Sequence, residues 1–135
     1  MKSHNKIAGI IIRDKRLLMV RKYGEPHFIM PGGQLKSGET IRKALERELE
    51  EELDVKLISM DNRPYGVWEA PHFQDQDKIV RMETYFVEIE GNPVKTSEID
   101  EIRWVSSSYA QEGIVVASIN QDCLIPKLLK DSFII

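Results

Sequence analysis

The sequence is short of cysteine, of long apolar segments and of excess positive charge, and each shortage excludes a class of protein. One of its 135 residues is a cysteine, Cys123, which excludes an internal disulfide and every cysteine-based zinc site. No apolar run approaches the roughly 20 residues of a membrane-spanning helix. The 19 basic residues face 22 acidic ones, for a net charge of −3, so the basic surface of a duplex-binding domain is missing. Since the first residues also lack a signal-peptide pattern, we expect a cytoplasmic protein without a nucleic-acid or membrane partner.

What the sequence does contain is the composition of one globular domain. Hydrophobic residues make up 41% and charged residues 30% of the chain, which argues against wholesale disorder. No internal repeat, linker or low-complexity tract divides it, so we expect a single domain over residues 1–135. A domain of this size buries roughly two-thirds of its unfolded surface and needs no disulfide or structural metal. Its oligomeric state is left open between monomer and homodimer.

Apolar and β-branched segments predict strands on both sides of one helix. Ile7–Ile12 and Leu17–Tyr23, joined by the polar residues 13–16, predict a β-hairpin. Thr40–Leu53 contains neither glycine nor proline and predicts the main helix. Further strands are predicted at Val55–Ser59, Val67–Ala70, Ile79–Glu90 and Ile102–Val105, and short helices at 106–113 and 124–130. Strands around a central helix indicate a mixed α/β or an α+β sandwich.

The main helix carries four carboxylates within residues 48–52, a pattern that is ordinarily a solvated face. At about 100° per residue, however, Glu48 and Glu52 fall inside the apolar stripe of the helix, and Glu51 lies on its edge. The stripe consists of Ile41, Ala44, Leu45 and Leu49, and the opposite face consists of Arg42, Lys43, Glu46 and Glu50. Two acids are therefore expected to point towards the core.

Carboxylates that point inward need compensation. Burying an ionised carboxylate is unfavourable unless it is paired or bound to a metal, and like charges within one helical turn repel each other. Arg47 can reach Glu51 across one turn, but one arginine cannot neutralise three acids. A hard divalent cation, Mg²⁺ or Mn²⁺, removes both problems because it binds carboxylate oxygens and keeps several waters.

A glycine-rich loop precedes the helix. Pro31-Gly32-Gly33 is followed by residues 34–39, which lead to the helix N-terminus. Paired glycines let the backbone approach a ligand closely, and helix N-termini favour anions. A plain strand-to-helix turn is the alternative. Beside inward-facing acids, the loop is interpreted as one wall of a metal–phosphate site, the apparatus of phosphoryl hydrolysis.

Residues 33–55 resemble the Nudix box. Gly33 and Glu39 stand at fixed distances before Arg47-Glu48-Leu49 and Glu51-Glu52, and the preceding Pro31-Gly32 also fits. The whole chain resembles a small, MutT-like Nudix hydrolase. The resemblance implies a Nudix-type α/β/α sandwich with a mixed β-sheet. It also implies hydrolysis of nucleoside diphosphates linked to another moiety, with Mg²⁺ or Mn²⁺ as cofactor.

The resemblance assigns roles to the residues of the box. Glu48, Glu51 and Glu52 match the metal-ligand glutamates, and Glu51 and Glu52 are thereby also catalytic. Gly32, with Gly33 as the alternative, matches the source of a backbone carbonyl ligand, and both glycines would contact the substrate.

The resemblance also implies catalytic roles for residues other than the metal-ligand glutamates. Arg47 and Glu39 match the positions that orient and brace them. Many members of the family carry a further acid before a tryptophan-containing strand, and here Glu98 and Glu101 are the leading candidates before Trp104. The implied mechanism is in-line attack of water on phosphorus, with a carboxylate taking the proton.

One position departs from the family pattern, because Asp54 stands where the box has a glycine. We expect Asp54 just after the helix in the left-handed conformation, which aspartate tolerates better than most residues. The departure therefore bears on local stability more than on chemistry.

The resemblance favours an enzyme over two other functions. Loss of one of the acids would favour a non-catalytic nucleotide sensor, and acids on the exposed face would favour a scaffold for a basic partner. The expected substrate is a small nucleotide, namely a nucleoside triphosphate, unmodified or oxidised, cleaved to monophosphate and pyrophosphate. ADP-ribose or another nucleotide sugar is the runner-up. Trp68 and Phe73 lie where a base could stack on them, with ordinary packing as the alternative.

Overall fold

The computed structural model describes residues 2–72 and 75–135. These residues form two β-sheets and two helices, joined by loops and turns. In chain order the strands are β1 (Lys2–Ile10), β2 (Ile12–Arg13), β3 (Arg16–Lys22), β4 (Gly32–Gly33), β5 (Lys56–Met60), β6 (Gly66–Pro71), β7 (Lys78–Glu90) and β8 (Ile99–Val105). Helix α1 is Ile41–Leu53, and helix α2, Ile125–Lys130, continues a π-helical turn, Asn120–Leu124. None of the described helices is both long and apolar enough to span a bilayer.

The larger sheet is mixed and is organised by β7. This strand pairs in parallel with β1 along its first nine residues, from Lys2 opposite Lys78 to Ile10 opposite Phe86. It pairs antiparallel with β6 and then with β5, while β1 carries β4 on its other edge. The prediction of a mixed sheet is confirmed.

The smaller sheet contains the predicted hairpin. Strands β2 and β3 pair antiparallel around Asp14 and Lys15, whose φ angles of 51° and 59° are those of a two-residue type I′ turn. The pattern did not separate β1 from β2, which belong to different sheets. Strand β8 covers the other edge of β3.

Strand β3 lies between the two halves of the core, because alternate residues of a strand point to opposite faces. Leu18 and Val20 pack in an apolar cluster with α1, and Leu17 and Met19 pack in a second cluster with α2. All four side chains are fully buried, so the strand has a helix layer on each side. The predicted α/β/α sandwich is confirmed, and α1 is held with one face against the sheets.

The main helix begins and ends at the expected residues. The side chain of Thr40 accepts a hydrogen bond from Lys43 N at 3.2 Å, which satisfies a free amide of the first turn. Asp54 follows the last turn with φ 54° and ψ 43°, the predicted left-handed conformation, and its amide donates to the Glu50 carbonyl at 3.1 Å. The helix therefore presents its acids in a defined register.

Two predictions for the last third of the chain were wrong in detail. Residues 107–113 form successive hydrogen-bonded turns rather than a helix. Ser106 Oγ accepts from Ser108 N, so that serine caps a turn instead of a helix. The final helical segment begins earlier than 124, with the π-helical turn at Asn120. This wider turn lies directly before Pro126, which lacks the N–H that a continuous α-helix would use.

We expect Asp54→Gly to leave the melting temperature unchanged or slightly raised. Glycine relieves the left-handed strain at φ 54°, but it also loosens the unfolded chain, so the two effects largely cancel. Thermal melts of Asp54→Gly and Asp54→Val measure the balance, because a β-branched residue tolerates this conformation worst. A clear loss of stability in the glycine variant would mean that the Asp54 side chain makes a contribution of its own.

Candidate active site

The last turn of α1 places the Glu52 carboxylate inside the molecule. Glu52 has no exposed surface, and its Oε1 accepts a hydrogen bond from Gly32 N at 3.0 Å. Its Oε2 lies 3.7 Å from Lys22 Nζ and, within the described part of the chain, accepts no hydrogen bond. A buried carboxylate oxygen without a hydrogen bond is costly, so this atom is available to a ligand.

Two lysines surround this buried acid. The ammonium of Lys6 donates to the Met30 carbonyl at 2.6 Å and, with Lys22, opposes the upward shift in the pKa of Glu52. Burial nevertheless raises the pKa of Glu52 to about 7, and burial lowers the pKa of Lys6 to about 8. The site thus holds an acid and a base whose charges depend on each other.

Arg47 braces the second inward-facing acid. Its Nη1 donates to Glu48 Oε1 at 2.6 Å, while Nε and Nη2 donate to the two oxygens of Glu39 at 2.8 and 2.9 Å. Nη2 also donates to the Gln34 carbonyl at 3.1 Å. The guanidinium holds the pKa of Glu39 at about 2, so this acid is ionised at neutral pH. Arg47 and Glu39 therefore tie the loop to the helix and fix the Glu48 carboxylate, whose side chain is 14% exposed.

The two glycines of the loop allow both acids to approach the backbone. Gly32 has a φ of +142°, and a side chain there would meet the backbone of Ile7 and Ala8. A Cβ on Gly33 would lie 2.5 Å from the Glu48 carboxylate. Any larger residue at either position would displace the strand pairing or the acid.

Glu51 is more exposed than the other two acids, although Arg47 Nη1 lies near both Glu48 and Glu51. Its side chain is 46% exposed and lies 3.7 Å from Arg47 Nη1, in an open groove that also contains Gly38 and Lys43. Among residues 2–72 and 75–135, no three side chains of histidine, cysteine, aspartate or glutamate converge as a ready-made metal site. The structure thus brings Glu48 and Glu52 to the glycine loop and leaves Glu51 at the rim.

The donor set nevertheless fits a hard divalent cation. Glu52 Oε2 is buried without a hydrogen bond from any described residue, and the Glu48 carboxylate is held against Gly33. Mg²⁺ is ordinarily bound by one or two carboxylates together with waters and substrate phosphates, not by a complete protein cage. Glu48 and Glu52 would supply that part, and Glu51 stands one helical turn from Arg47 and next to Glu52 in sequence.

The two candidate bases before Trp104 have different surroundings. Glu101 lies on β8, where Arg21 and Arg103 both donate to it and hold its pKa below the ordinary value. Glu98 is exposed in the turn that precedes β8. The next residue, Ile99, pairs with Lys22, which contacts Glu52. Strand register therefore brings Glu98, the acid not held by these arginines, to the end of β8 that adjoins the site.

Trp68, the aromatic candidate within the described residues, does not lie with the acids. Trp68 packs against Gly66 and the apolar cluster on the α2 side of the sheet, and Phe73 lies outside the described residues. A cavity next to the two lysines has a polar lining and aliphatic walls. Its polar lining consists of Lys6, Lys22, Glu25, Asn120 and three histidines, His4, His27 and His72. Sequence reasoning did not bring these residues together, because they come from separate elements of the chain.

Known proteins resemble this chain in sequence and in fold. The NUDIX domain family model matches residues 3–118. An ADP-ribose pyrophosphatase from Methanocaldococcus jannaschii is 26% identical over 95 residues, which cover 68% of this chain and 54% of that protein. The chain thus spans about half the length of that relative.

Two further proteins are similar over most of the chain. An RNA pyrophosphohydrolase from Edwardsiella ictaluri is 28% identical over 131 residues, covering 80% of this chain and 72% of that protein. The crystal structure of a MutT protein from Methanosarcina mazei Go1 superposes with a TM-score of 0.73 at 15% identity, covering 97% of this chain and 96% of the other. The likeness to the MutT protein shows the fold. The match to the NUDIX domain family model confirms the resemblance that the sequence carries.

We expect the metal-free protein to lose stability as the pH rises from about 4.5 to about 7, because burial raises the pKa of Glu52 from 4.5 to about 7. A group whose folded pKa exceeds its unfolded one contributes stability below the unfolded pKa and loses it as the pH rises through the folded pKa. The Glu52→Gln variant has no ionisable group at this position. In EDTA, its melting temperature relative to that of the wild type should therefore be higher at about pH 8 than at about pH 5.

The matched control for this measurement is Glu50→Gln, on the exposed face of the same helix. Its melting temperature should differ from the wild type by the same amount at both pH values. A Glu52→Gln variant that behaved like this control would contradict the effect of burial.

Proposed function

The chain belongs to the NUDIX domain family, and from this membership we propose that it is a divalent-metal-dependent pyrophosphohydrolase. It cleaves a nucleoside diphosphate linked to another moiety, and its preferred substrate is a nucleoside triphosphate, unmodified or oxidised. The products are the nucleoside monophosphate and pyrophosphate. Two relatives named as pyrophosphatase and pyrophosphohydrolase support the reaction class.

The observation that carries this proposal is the buried Glu52 carboxylate beside the glycine loop. A carboxylate with no exposed surface and one oxygen without a hydrogen bond among the described residues destabilises the metal-free protein. Such a cost is retained where the group binds a ligand, and perturbed acids cluster at functional sites. The braced Glu48 carboxylate lies against the same loop.

Each residue of the site has a task in the proposed hydrolysis. Glu48 and Glu52 hold the divalent cation, with Glu51 completing the acidic set. When bound, that cation supplies Lewis-acid stabilisation of charge on the phosphate oxygens. Arg47 keeps Glu48 in place through Glu39. Pre-positioned groups of this kind lower the barrier because they need no reorganisation during the reaction.

The attacking water and the substrate phosphates are handled by residues outside the helix. Glu98 takes the proton from the water, since the arginine pairs of Glu101 hold that acid in place and reduce its basicity. The Lys22 ammonium, 3.7 Å from Glu52, provides positive charge for an anionic phosphate. The amide of Gly33 lies at the same loop and can approach the phosphate because the residue has no side chain.

ADP-ribose is the second candidate substrate, because one of the two relatives is named for it. A nucleoside triphosphate is preferred because the fold of the chain matches that of a MutT protein over 97% of its length. A non-catalytic nucleotide sensor is less favoured, since Glu48, Glu51 and Glu52 are all present. We propose a cytoplasmic location and a monomeric or homodimeric state.

We expect Glu48→Gln, Glu51→Gln and Glu52→Gln each to lower kcat by about a hundredfold or more. The neutral amides keep the side-chain shape but remove the negative charge that binds the cation. Glu50→Gln and Glu46→Gln, on the opposite face of α1, are the controls and should keep wild-type turnover. Full activity in EDTA, or wild-type kcat in the first three variants, would contradict the metal site.

Competition kinetics should rank a nucleoside triphosphate above ADP-ribose. The panel contains the four deoxynucleoside triphosphates, their oxidised forms and ADP-ribose, with Mg²⁺ present and product release followed for each. The measured quantity is kcat/KM, because the ratio of these values is the specificity of an enzyme. A value about tenfold higher for ADP-ribose would reverse the proposed ranking.

A further inference from the structure

The segment that leads to β8 fastens the end of α1. The last carbonyls of a helix have no amide partner within the helix itself. Here the Glu52 carbonyl accepts a hydrogen bond from the Thr96 hydroxyl at 3.0 Å, and the Leu53 carbonyl accepts one from Val94 N at 3.0 Å. The turn that carries Glu51 and Glu52 is therefore closed by a segment from much further along the chain.

Thr96 also begins the turn that carries Glu98. The Thr96 carbonyl accepts a hydrogen bond from Ile99 N at 3.2 Å, which is the bond of a four-residue β-turn with Glu98 at its third position. Thr96 is partly buried, whereas Glu98 is exposed. The position of the Glu98 carboxylate thus depends on a turn whose first residue is hydrogen-bonded to α1.

The other end of this turn is tied to the same acid. Ile99 is fully buried and pairs with Lys22 of β3. The Lys22 ammonium lies 3.7 Å from Oε2 of Glu52. From the Glu52 backbone the contacts run through Thr96, the turn and Lys22, and they return to the Glu52 carboxylate. This closed ring fixes both ends of the turn relative to α1.

Glu52 itself is held at two places. Its carboxylate accepts a hydrogen bond from Gly32 N, and its backbone carbonyl accepts one from the Thr96 hydroxyl, both at 3.0 Å. The last turn of a helix frays readily, and fraying here would move Glu51 and Glu52 relative to the glycine loop. The hydroxyl of Thr96 opposes this movement.

We propose that Thr96 is a positioning residue that aligns the Glu98 carboxylate with the acids at the end of α1. The inference rests on the proposed function, in which Glu98 takes the proton of the attacking water while Glu48 and Glu52 hold the cation. A base must lie within hydrogen-bond reach of the proton that it removes, and a misplacement of about 1 Å can lower a rate about a hundredfold. One hydroxyl that joins the base to the acids therefore controls the rate without touching the substrate.

A merely structural role for Thr96 is the alternative, and the same helix provides the matched control. Thr40 uses its hydroxyl oxygen at the start of α1, where it accepts a hydrogen bond from Lys43 N at 3.2 Å. Removing either hydroxyl takes a partner from one backbone group of the helix and lowers the melting temperature. The Thr96 contact adjoins the acids and the Glu98 turn, whereas the Thr40 contact lies at the opposite end of the helix.

Steady-state kinetics with a nucleoside triphosphate and saturating Mg²⁺ test the proposal. Thr96→Val keeps the shape of the side chain but lacks the hydroxyl, so kcat should fall about tenfold while KM stays within about twofold of the wild type. Thr96→Ser keeps the hydroxyl and should restore most of kcat. Thr40→Val should lower the melting temperature and keep the wild-type kcat. Equal kcat values in the two valine variants, or no restoration by serine, would overturn the proposal.

A double-mutant cycle tests whether Thr96 acts through Glu98. In a Glu98→Gln background, Thr96→Val should lower kcat by less than about twofold, because no carboxylate is left to align. Losses that multiply would assign the effect of Thr96 to the helix as a whole and contradict its role towards Glu98. A wild-type kcat in Glu98→Gln would overturn this inference while the hydrolysis itself stands.

Titration calorimetry with Mn²⁺ gives a measurement that does not depend on turnover. Because Thr96 holds the backbone of Glu52, Thr96→Val should bind Mn²⁺ about tenfold more weakly than the wild type, and Thr40→Val should bind it with wild-type affinity. These affinities in a protein that hydrolyses no nucleotide would overturn the proposed function and leave the role of Thr96 towards Glu52. Intact hydrolysis with wild-type kcat and Mn²⁺ affinity in Thr96→Val would overturn this inference alone.

Discussion

The hydrogen bond from Gly32 N to the buried Glu52 carboxylate is the contact on which the arrangement of the site depends. It joins the end of α1 to the loop that precedes it and requires glycine where a Cβ would strike β1. It also leaves one carboxylate oxygen without a hydrogen bond from the described residues. The same loop pairs with β1 through β4, and α1 ends through Asp54 two residues after Glu52. The burial of this carboxyl group reduces stability and keeps a ligand atom ready inside the protein.

The periodicity of α1 was sufficient to predict which of its acids turn inward. Glu52 is buried and Glu50 exposed as the helical wheel indicated, because residues four apart share a face. The same wheel placed Glu51 at the edge of the stripe, where it pairs with Arg47. The residues opposite the helix were beyond this method. Lys6 comes from β1 and Asn120 from the turn before α2, and a periodic pattern describes one element without its neighbours.

Local signals were least reliable in the last third of the chain. A short helix is predicted at 106–113, yet residues 107–113 form successive turns because Gly113, at φ 78°, ends the segment before a regular helix develops. The π-helical turn follows from the position of Pro126 within a helix whose apolar side chains, Leu124 and Leu128, must still reach the core. Packing across the sheet settles such conflicts, and a single segment does not contain that information.

The parallel pairing of β1 with β7 has a consequence for how the molecule acquires its site. Lys2 is paired with Lys78 and Ile10 with Phe86, so the strand that carries Lys6 and positions the glycine loop finds its partner far along the chain. Contacts of such long sequence separation form slowly, because loop closure must come first. During synthesis the chain must therefore emerge past Phe86 before β1 has a sheet to join. The residues of α1 emerge earlier, so the Glu52 carboxylate stays in water until the strands that cover it have paired.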